Sequence, residues 1–180
     1  YFEFITSGCL RMQNLLNDIL MFSRVSNQVS FKEEVDLNKV LDQVLENIRE
    51  SINSSNAKVT IKKLPTIISS ETSMIQLYQN LISNALKYSR EGVIPEIVVS
   101  CKRTEDDYIF SVSDNGKGMD ENFLKGNLFV MFKRGHDSND LTGTGIGLSI
   151  CKKIVDLHRG EIWATSVIDK GSTFYIKLKI

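Results

Sequence analysis

The sequence has 180 residues, 42% hydrophobic and 24% charged, with 22 Lys and Arg against 22 Asp and Glu. This is globular composition at a length suited to one domain plus an appendage, and the balanced charge argues against the broad basic footprint of a nucleic-acid-binding protein. Three scattered cysteines (Cys9, Cys101 and Cys151) without CxxC spacing argue against a disulfide framework or a zinc site and for a reducing, cytoplasmic compartment, and neither a bilayer-length apolar run nor a signal peptide is present.

Residues 1–27 read as a helix. Phe2, Ile5, Cys9, Met12, Leu16 and Ile19 recur by threes and fours, and Leu15, Leu20 and Phe22 widen the stripe. Such an apolar face calls for a partner, either its own domain or a helical bundle or dimer. Because the chain starts in mid-helix without Met, it is expected to be a piece of a longer protein. The stripe also places Cys9, like Cys151 later in the chain, among expected buried thiols.

Residues 26–30 read as a polar linker and Phe31–Val35 as a short strand. Asp36 is a candidate N-cap for a helix over 37–52, whose apolar positions are Leu37, Val40, Leu41, Val44, Leu45 and Ile48. Strands follow at 58–63 and, beyond Pro65, at 66–68. Ser69 or Ser70 can cap a long helix over 71–89. Two strands at 96–103 and 108–113 lead to Asp114-Asn115-Gly116-Lys117-Gly118. About two dozen residues of weak pattern then separate this cluster from Gly143-Thr144-Gly145-Ile146-Gly147-Leu148, which opens a helix running to about Leu157. His158-Arg159-Gly160 reads as a turn, and 161–166 with 172–180 as a hairpin. The order of elements predicts an α+β fold, a two-layer α/β sandwich with helices on one face of a mixed sheet, plus an N-terminal bundle helix.

Two features carry chemistry. On the helix over 71–89, at about 100° per residue, Asn80, Asn84 and Lys87 share one narrow arc opposite Met74, Ile75, Leu77, Tyr78, Leu81, Ile82 and Ala85. An Asn carbonyl suits Mg²⁺, Lys suits a phosphate, and Tyr88 lies at the border, where its ring can cover a base. On spacing alone the row reads more readily as a solvated helix face, which every surface helix has. The second feature is the pair of glycine clusters, the later one opening a helix whose amide N–H groups and dipole suit phosphate.

Together these residues resemble the catalytic and ATP-binding domain of a sensor histidine kinase, within the Bergerat-fold ATPases. Asn80-Leu81-Ile82-Ser83-Asn84-Ala85-Leu86-Lys87-Tyr88 resembles the N box, and Asp114-Asn115-Gly116-Lys117-Gly118-Met119 the first glycine box. Leu128-Phe129-Val130-Met131-Phe132-Lys133-Arg134 resembles the F box, and Gly143 to Leu148 the second glycine box; Gly171-Ser172-Thr173-Phe174 also fits. The likeness covers about residues 31–180. It implies that Asn84 holds Mg²⁺ with Asn80 in support, that Lys87 meets a phosphate, and that Tyr88 lies beside the adenine. Asp114 would accept from the adenine amino group, helped by Thr173 through water, with Gly116, Gly118 and Met119 beneath the base. Gly143, Thr144, Gly145, Ile146, Gly147 and Leu148 would present backbone to the phosphates. Arg134 would face the γ-phosphate from a lid anchored by Phe129 and Phe132, with Gly135 standing where relatives often carry a bulkier residue.

Leu10-Arg11-Met12 with Asn17 to Arg24 resembles the second helix of a dimerisation and histidine phosphotransfer hairpin, especially of phytochrome-like and PAS-linked kinases. The implied division is a hairpin helix at 1–27 and a kinase catalytic domain at 28–180. The implied activity is ATP-dependent phosphorylation of a histidine on that hairpin, with homodimerisation through it and relay to an aspartate of a response-regulator receiver. Neither histidine of the chain matches the acceptor: His136 reads as a solvated lid residue and His158 as a packing or turn residue. Trp163 reads as sheet surface without a site role. The rival expectations are another Bergerat-fold kinase or ATPase, against which Asn80 stands where the ATPases usually carry a Glu base, and a nucleotide-sensing or dimerisation module without catalysis.

Overall fold

Among the described residues from 33 onward, seven strands and five helices form the domain. The computed structural model describes residues 33–126, 128–133 and 144–180, preceded by Thr6, Gly8, Cys9, Met12, Gln13, Leu15, Leu16, Asn17, Ile19, Leu20, Phe22 and Ser23, all twelve helical. The strands are β1 (Glu33–Asp36), β2 (Lys58–Ile61), β3 (Thr66–Ser69), β4 (Glu96–Arg103), β5 (Asp107–Asp114), β6 (Glu161–Val167) and β7 (Gly171–Lys179). The helices are α1 (Leu37–Asn47), α2 (Arg49–Ser55), α3 (Glu71–Lys87), α4 (Glu121–Gly126) and α5 (Gly147–Leu157).

The main sheet has the order β2-β4-β5-β7-β6, with β2 parallel to β4 and every other pairing antiparallel. A small antiparallel pair, β1 with β3, stands apart. Alternate residues give the main sheet one apolar face: Ile97 and Val99 of β4, Phe110 and Val112 of β5, and Phe174, Ile176 and Leu178 of β7 are buried. Leu37, Val40, Leu41 and Val44 of α1, the predicted stripe of α3, and Ile150, Cys151, Ile154 and Val155 of α5 complete the same core. Burying each large aliphatic side chain contributes on the order of 2 kcal/mol. The opposite face is polar. Ser100 and Ser111 hydroxyls lie 2.8 Å apart, Ser113 and Thr173 hydroxyls 2.9 Å apart, and Trp163 stacks on Tyr175.

Local chemistry sets the element ends. Asp36 caps α1, its Oδ1 accepting from Asn38 N at 3.0 Å. Of the two serines offered for α3, Ser70 is the cap; Ser69 ends β3 and its hydroxyl meets His158 Nε2 at 2.8 Å. His158 Nδ1 donates to Ile154 O at 2.7 Å, so this ring ties the end of α5 to β3. That agrees with a packing role.

Four expectations need correction. The helix over 37–52 is two helices: Ile48 leaves helical geometry at φ −110°, ψ 15°, while its side chain stays in the core, and α2 ends on left-handed Asn56. The stretch between the glycine clusters contains α4, started by Asp120, whose Oδ1 accepts from Asn122 N and Phe123 N. Cys9 is exposed rather than buried. Phe132 is 57% exposed and is not packed on the core, its backbone sitting at φ +63° in a turn, whereas Phe129 packs on the core as expected. The linker, the 27/28 boundary, Arg134, Gly135, His136 and Gly143 lie outside the described residues.

Candidate functional site

α3 brings its polar arc to the edge of a cavity of about 860 Å³, bounded also by the loops after α3 and β5, the β6–β7 turn and the start of α5. Asn80, Asn84, Lys87 and Tyr88 all line it. The helix is amphipathic for a plain reason: Met74, Leu77, Tyr78, Leu81, Ile82 and Ala85 are buried in the core, which leaves the two amides and the ammonium facing away. Lys87 Nζ lies 4.9 Å from the centre of the Tyr88 ring.

One end of the cavity is built around Asp114, the last residue of β5. Its Oδ1 accepts from Gly116 N at 2.8 Å and Ser172 N at 3.2 Å, and none of the described residues bonds its Oδ2. Burial pushes the carboxyl above its usual range, against the lowering effect of the two amide bonds. This is a half-buried acceptor with one oxygen held and the other available to a donor.

The loops around it are in backbone contact, which leaves no room for a Cβ at Gly116, where it would lie 2.6 Å from Tyr88 O, or at two further glycines of positive φ. Gly118 sits at φ +71°, and a Cβ there would lie 2.1 Å from Val167 O; Gly171 sits at φ +110°, and a Cβ there would lie 2.0 Å from Asp114 O. Lys117 N donates to Tyr88 O at 2.9 Å and Asp169 N to Lys117 O at 2.7 Å. Met119 N donates to Ser166 Oγ at 2.7 Å, so Met119 is held at the cavity wall from behind.

The other end is the start of α5. Among the described residues no side chain caps its N-terminus, so its first N–H groups suit an anion. Thr144, Gly145, Gly147 and Leu148 line this end. Asn80 Nδ2 donates to Gly147 O at 3.3 Å and so fastens α3 to α5. Behind them the buried Cys151 thiol donates to Leu77 O at 3.8 Å, and burial pushes it up to about 12; this is an inert core thiol. Phe132 N donates to Gly145 O at 3.0 Å, and Leu128 and Lys133 also face the cavity.

Three expected residues are not among the cavity lining: Gly116, whose N–H is instead spent on Asp114 Oδ1, Ile146 and Thr173. Ile146 is fully buried, and its carbonyl accepts from Ile150 N and Ser149 Oγ, so it roots the helix in the core. Thr173 lies on the opposite face of the sheet, its register pairing it with Ser113. The residue beside Asp114 is Ser172, which lines the cavity and whose Oγ lies 2.9 Å from that of Ser166. Counting by twos back from apolar Phe174 and Ile176 would have found Ser172. Arg90 and Lys117 were also missed as lining residues, and no spacing signal marks them, since both lie in loops.

Residues 69–180 match the family described as "Histidine kinase-, DNA gyrase B-, and HSP90-like ATPase". The chain belongs to this family. Its mixed sheet with helices on one face is the Bergerat fold, as in the catalytic domain of histidine kinase ThkA, which superposes with a TM-score of 0.68 at 25% identity over 82% of this chain and 96% of that one. Cyanobacterial phytochrome A of Nostoc sp. is 41% identical over 99% of this chain and 23% of its own length. Phytochrome-like protein Cph1 of Synechocystis sp. is 36% identical over 100% of this chain and 24% of its own length. The chain thus spans about a quarter of those relatives. As a member of this ATPase family it is a nucleotide-using domain. No helix among the described residues is long and apolar enough to cross a membrane.

Proposed function

We propose that the chain is the ATP-binding catalytic domain of a sensor histidine kinase, moving the γ-phosphoryl group of ATP to a histidine on a dimerisation hairpin, for relay to an aspartate of a response-regulator receiver. The observation that carries this reading is one cavity with a half-buried carboxylate acceptor, Asp114, at one end and the uncapped start of α5 at the other, with Lys87 and Asn84 on its wall. A carboxylate accepts from the amino group of adenine and repels the carbonyl oxygen that guanine carries at the same place. Ser172, rather than Thr173, is the hydroxyl beside it. Tyr88 covers the base, while Lys87 and the amides from Thr144 to Leu148 hold the phosphates. Arg134 and Gly143 are assigned to phosphate binding on the sequence motifs alone.

Mg²⁺ fits the donors available. Asn84 offers one hard amide oxygen, and no group of three or more His, Cys, Asp or Glu among the described residues forms a cage, which suits an ion that keeps waters and takes its other ligands from substrate phosphates. When bound with the nucleotide, Mg²⁺ supplies neutralisation of phosphate charge. What this chain does is position and shield: Asn80 keeps α3 against α5, and the glycine loops hold the base end rigid. Such positioning and electrostatic stabilisation is most of what phosphoryl transfer asks of a protein.

Residues 1–27 are assigned to the second hairpin helix and 28–180 to the catalytic domain. Met12, Leu16, Ile19 and Leu20 are exposed along one side of the described helix while Leu15 and Phe22 pack on the core, which suits a helix that also meets a bundle partner. Mixing the chain with a separate hairpin bearing the acceptor histidine, in ATP and Mg²⁺, should place acid-labile phosphate on that hairpin. Nucleotide binding without transfer would favour a sensing module.

A further inference from the structure

We infer that Arg90 is a positioning residue for nucleotide binding, a strap that holds the base end of the cavity closed. Its guanidinium donates in two directions. Nε donates to Asn115 O at 2.9 Å, and an Nη donates to Asp169 O at 2.6 Å. Asn115 follows Asp114 directly, and Asp169 lies in the β6–β7 turn at φ +59°. Arg90 itself lies three residues past the end of α3. One side chain therefore joins the three loops that make this end of the cavity, and it lines the cavity as it does so.

The arrangement needs such a strap. The three loops have no regular secondary structure to register them, and the backbone bonds linking them are few: Lys117 N to Tyr88 O and Asp169 N to Lys117 O. Those two bonds both run through Lys117. The Arg90 bonds close the circuit by a second route, from the loop after α3 to the β6–β7 turn. A guanidinium suits the task because it is rigid, always charged and able to donate in two directions at once, whereas an ammonium serves as a single point. Asn115 reinforces the same loop from the other side, its Oδ1 accepting from Glu96 N at 2.9 Å and its Nδ2 donating to Ile94 O at 3.0 Å.

Arg90 acts on the base end, so its loss has a signature. Removing the guanidinium lets the β6–β7 turn, which carries Ile168 and Asp169 of the cavity wall and leads to Ser172, move away from Asp114. Adenosine, ADP and ATP then weaken by a common factor. The factor is about tenfold, equivalent to the loss of one charged hydrogen bond. A residue at the phosphate end behaves differently: Lys87→Gln weakens ATP more than adenosine.

This inference rests on the ATP reading above. Calorimetric titration of the chain with adenosine, ADP and ATP tests both separately. Failure of the unaltered chain to bind ATP overturns the ATP reading. If the unaltered chain binds, Arg90→Gln is expected to bind all three ligands about tenfold more weakly, Arg90→Lys to recover part of the loss, and added guanidinium at millimolar concentration to recover part of it in Arg90→Ala. Thermal unfolding of each variant accompanies the titration. Unchanged affinity in a folded Arg90→Gln, or a loss confined to ATP, overturns the strap. A loss of affinity that tracks the unfolded fraction and is not relieved by Lys or guanidinium also overturns it, since it marks a purely structural role.

Discussion

Gly118→Ala should damage this domain far more than a methyl group normally does, and Gly92→Ala shows by how much. Both glycines have nearly the same backbone, φ +71° and +72°. A Cβ at Gly92 meets nothing within 4 Å, whereas a Cβ at Gly118 lies 2.1 Å from Val167 O and 2.6 Å from Val167 C. The left-handed conformation alone costs an alanine about 1–2 kcal/mol, and that is the whole expected effect at Gly92. At Gly118 the contact is with backbone at the end of β6, so a loop must shift by about an ångström to reach ordinary contact. Flanking that contact are the bonds Met119 N to Ser166 Oγ and Asp169 N to Lys117 O, both 2.7 Å. Losing them adds about 1 kcal/mol each. The sum at Gly118 is about 3–4 kcal/mol, which at this chain length lowers Tm by about 10 °C, against about 4 °C for Gly92→Ala. Differential scanning calorimetry of the two variants reads the difference, and ATP titration of Gly118→Ala should show weakened binding, since the same loop carries the base end of the cavity. Equal Tm values for the two variants would refute the claim that loop-to-loop contact, and not backbone conformation alone, builds this end of the site.

Three further outcomes follow. Lys87→Gln should weaken ATP about tenfold, with a smaller effect on adenosine and a shallower dependence of ATP affinity on salt, checked by titration at two ionic strengths. Burial holds the His158 imidazole below its ordinary 6.5, so the unfolded chain binds more protons over the interval between the lowered value and 6.5. Stability therefore rises with pH through that interval and is lost as pH falls through it; urea denaturation between pH 5 and 7.5 should show this slope, and His158→Gln should flatten it. Phe132→Gly should raise stability by about 1 kcal/mol or less, because an exposed phenylalanine held at φ +63° gives way to a residue with no left-handed penalty, and a fall in Tm would contradict that account of the turn.

Much of the fold was legible because burial is periodic. The polar arc of α3 stood out since Met74, Leu77, Tyr78, Leu81 and Ile82 leave only one face for Asn80, Asn84 and Lys87. The glycine boxes were legible because φ and backbone approach leave a compositional mark. What escaped notice had no such mark. Ile48 breaks the first helix without proline or glycine, so the pattern of apolar residues runs through the break. Phe132 reads as core by type, but it lies exposed in a left-handed turn. Thr173 and Ser172 are chemically alike, and the alternation back from Phe174 and Ile176, which puts Ser172 on the core face, is a weaker mark than the glycine motif beside it. Arg90 acts through carbonyls of residues 25 and 79 positions away, contacts that local sequence does not encode.

The most direct test of the account is titration of the chain and of Asp114→Asn with ATP and GTP, with circular dichroism to establish that both are folded. Asparagine keeps an oxygen for the Gly116 and Ser172 amides but can present a donor where the adenine amino group needs an acceptor. The unaltered chain should prefer ATP over GTP by about a hundredfold or more, and Asp114→Asn should lose ATP affinity by a similar factor. Equal ATP affinity in the two folded proteins would contradict the assignment of Asp114 to the base, and with it the proposed orientation of the nucleotide in the cavity.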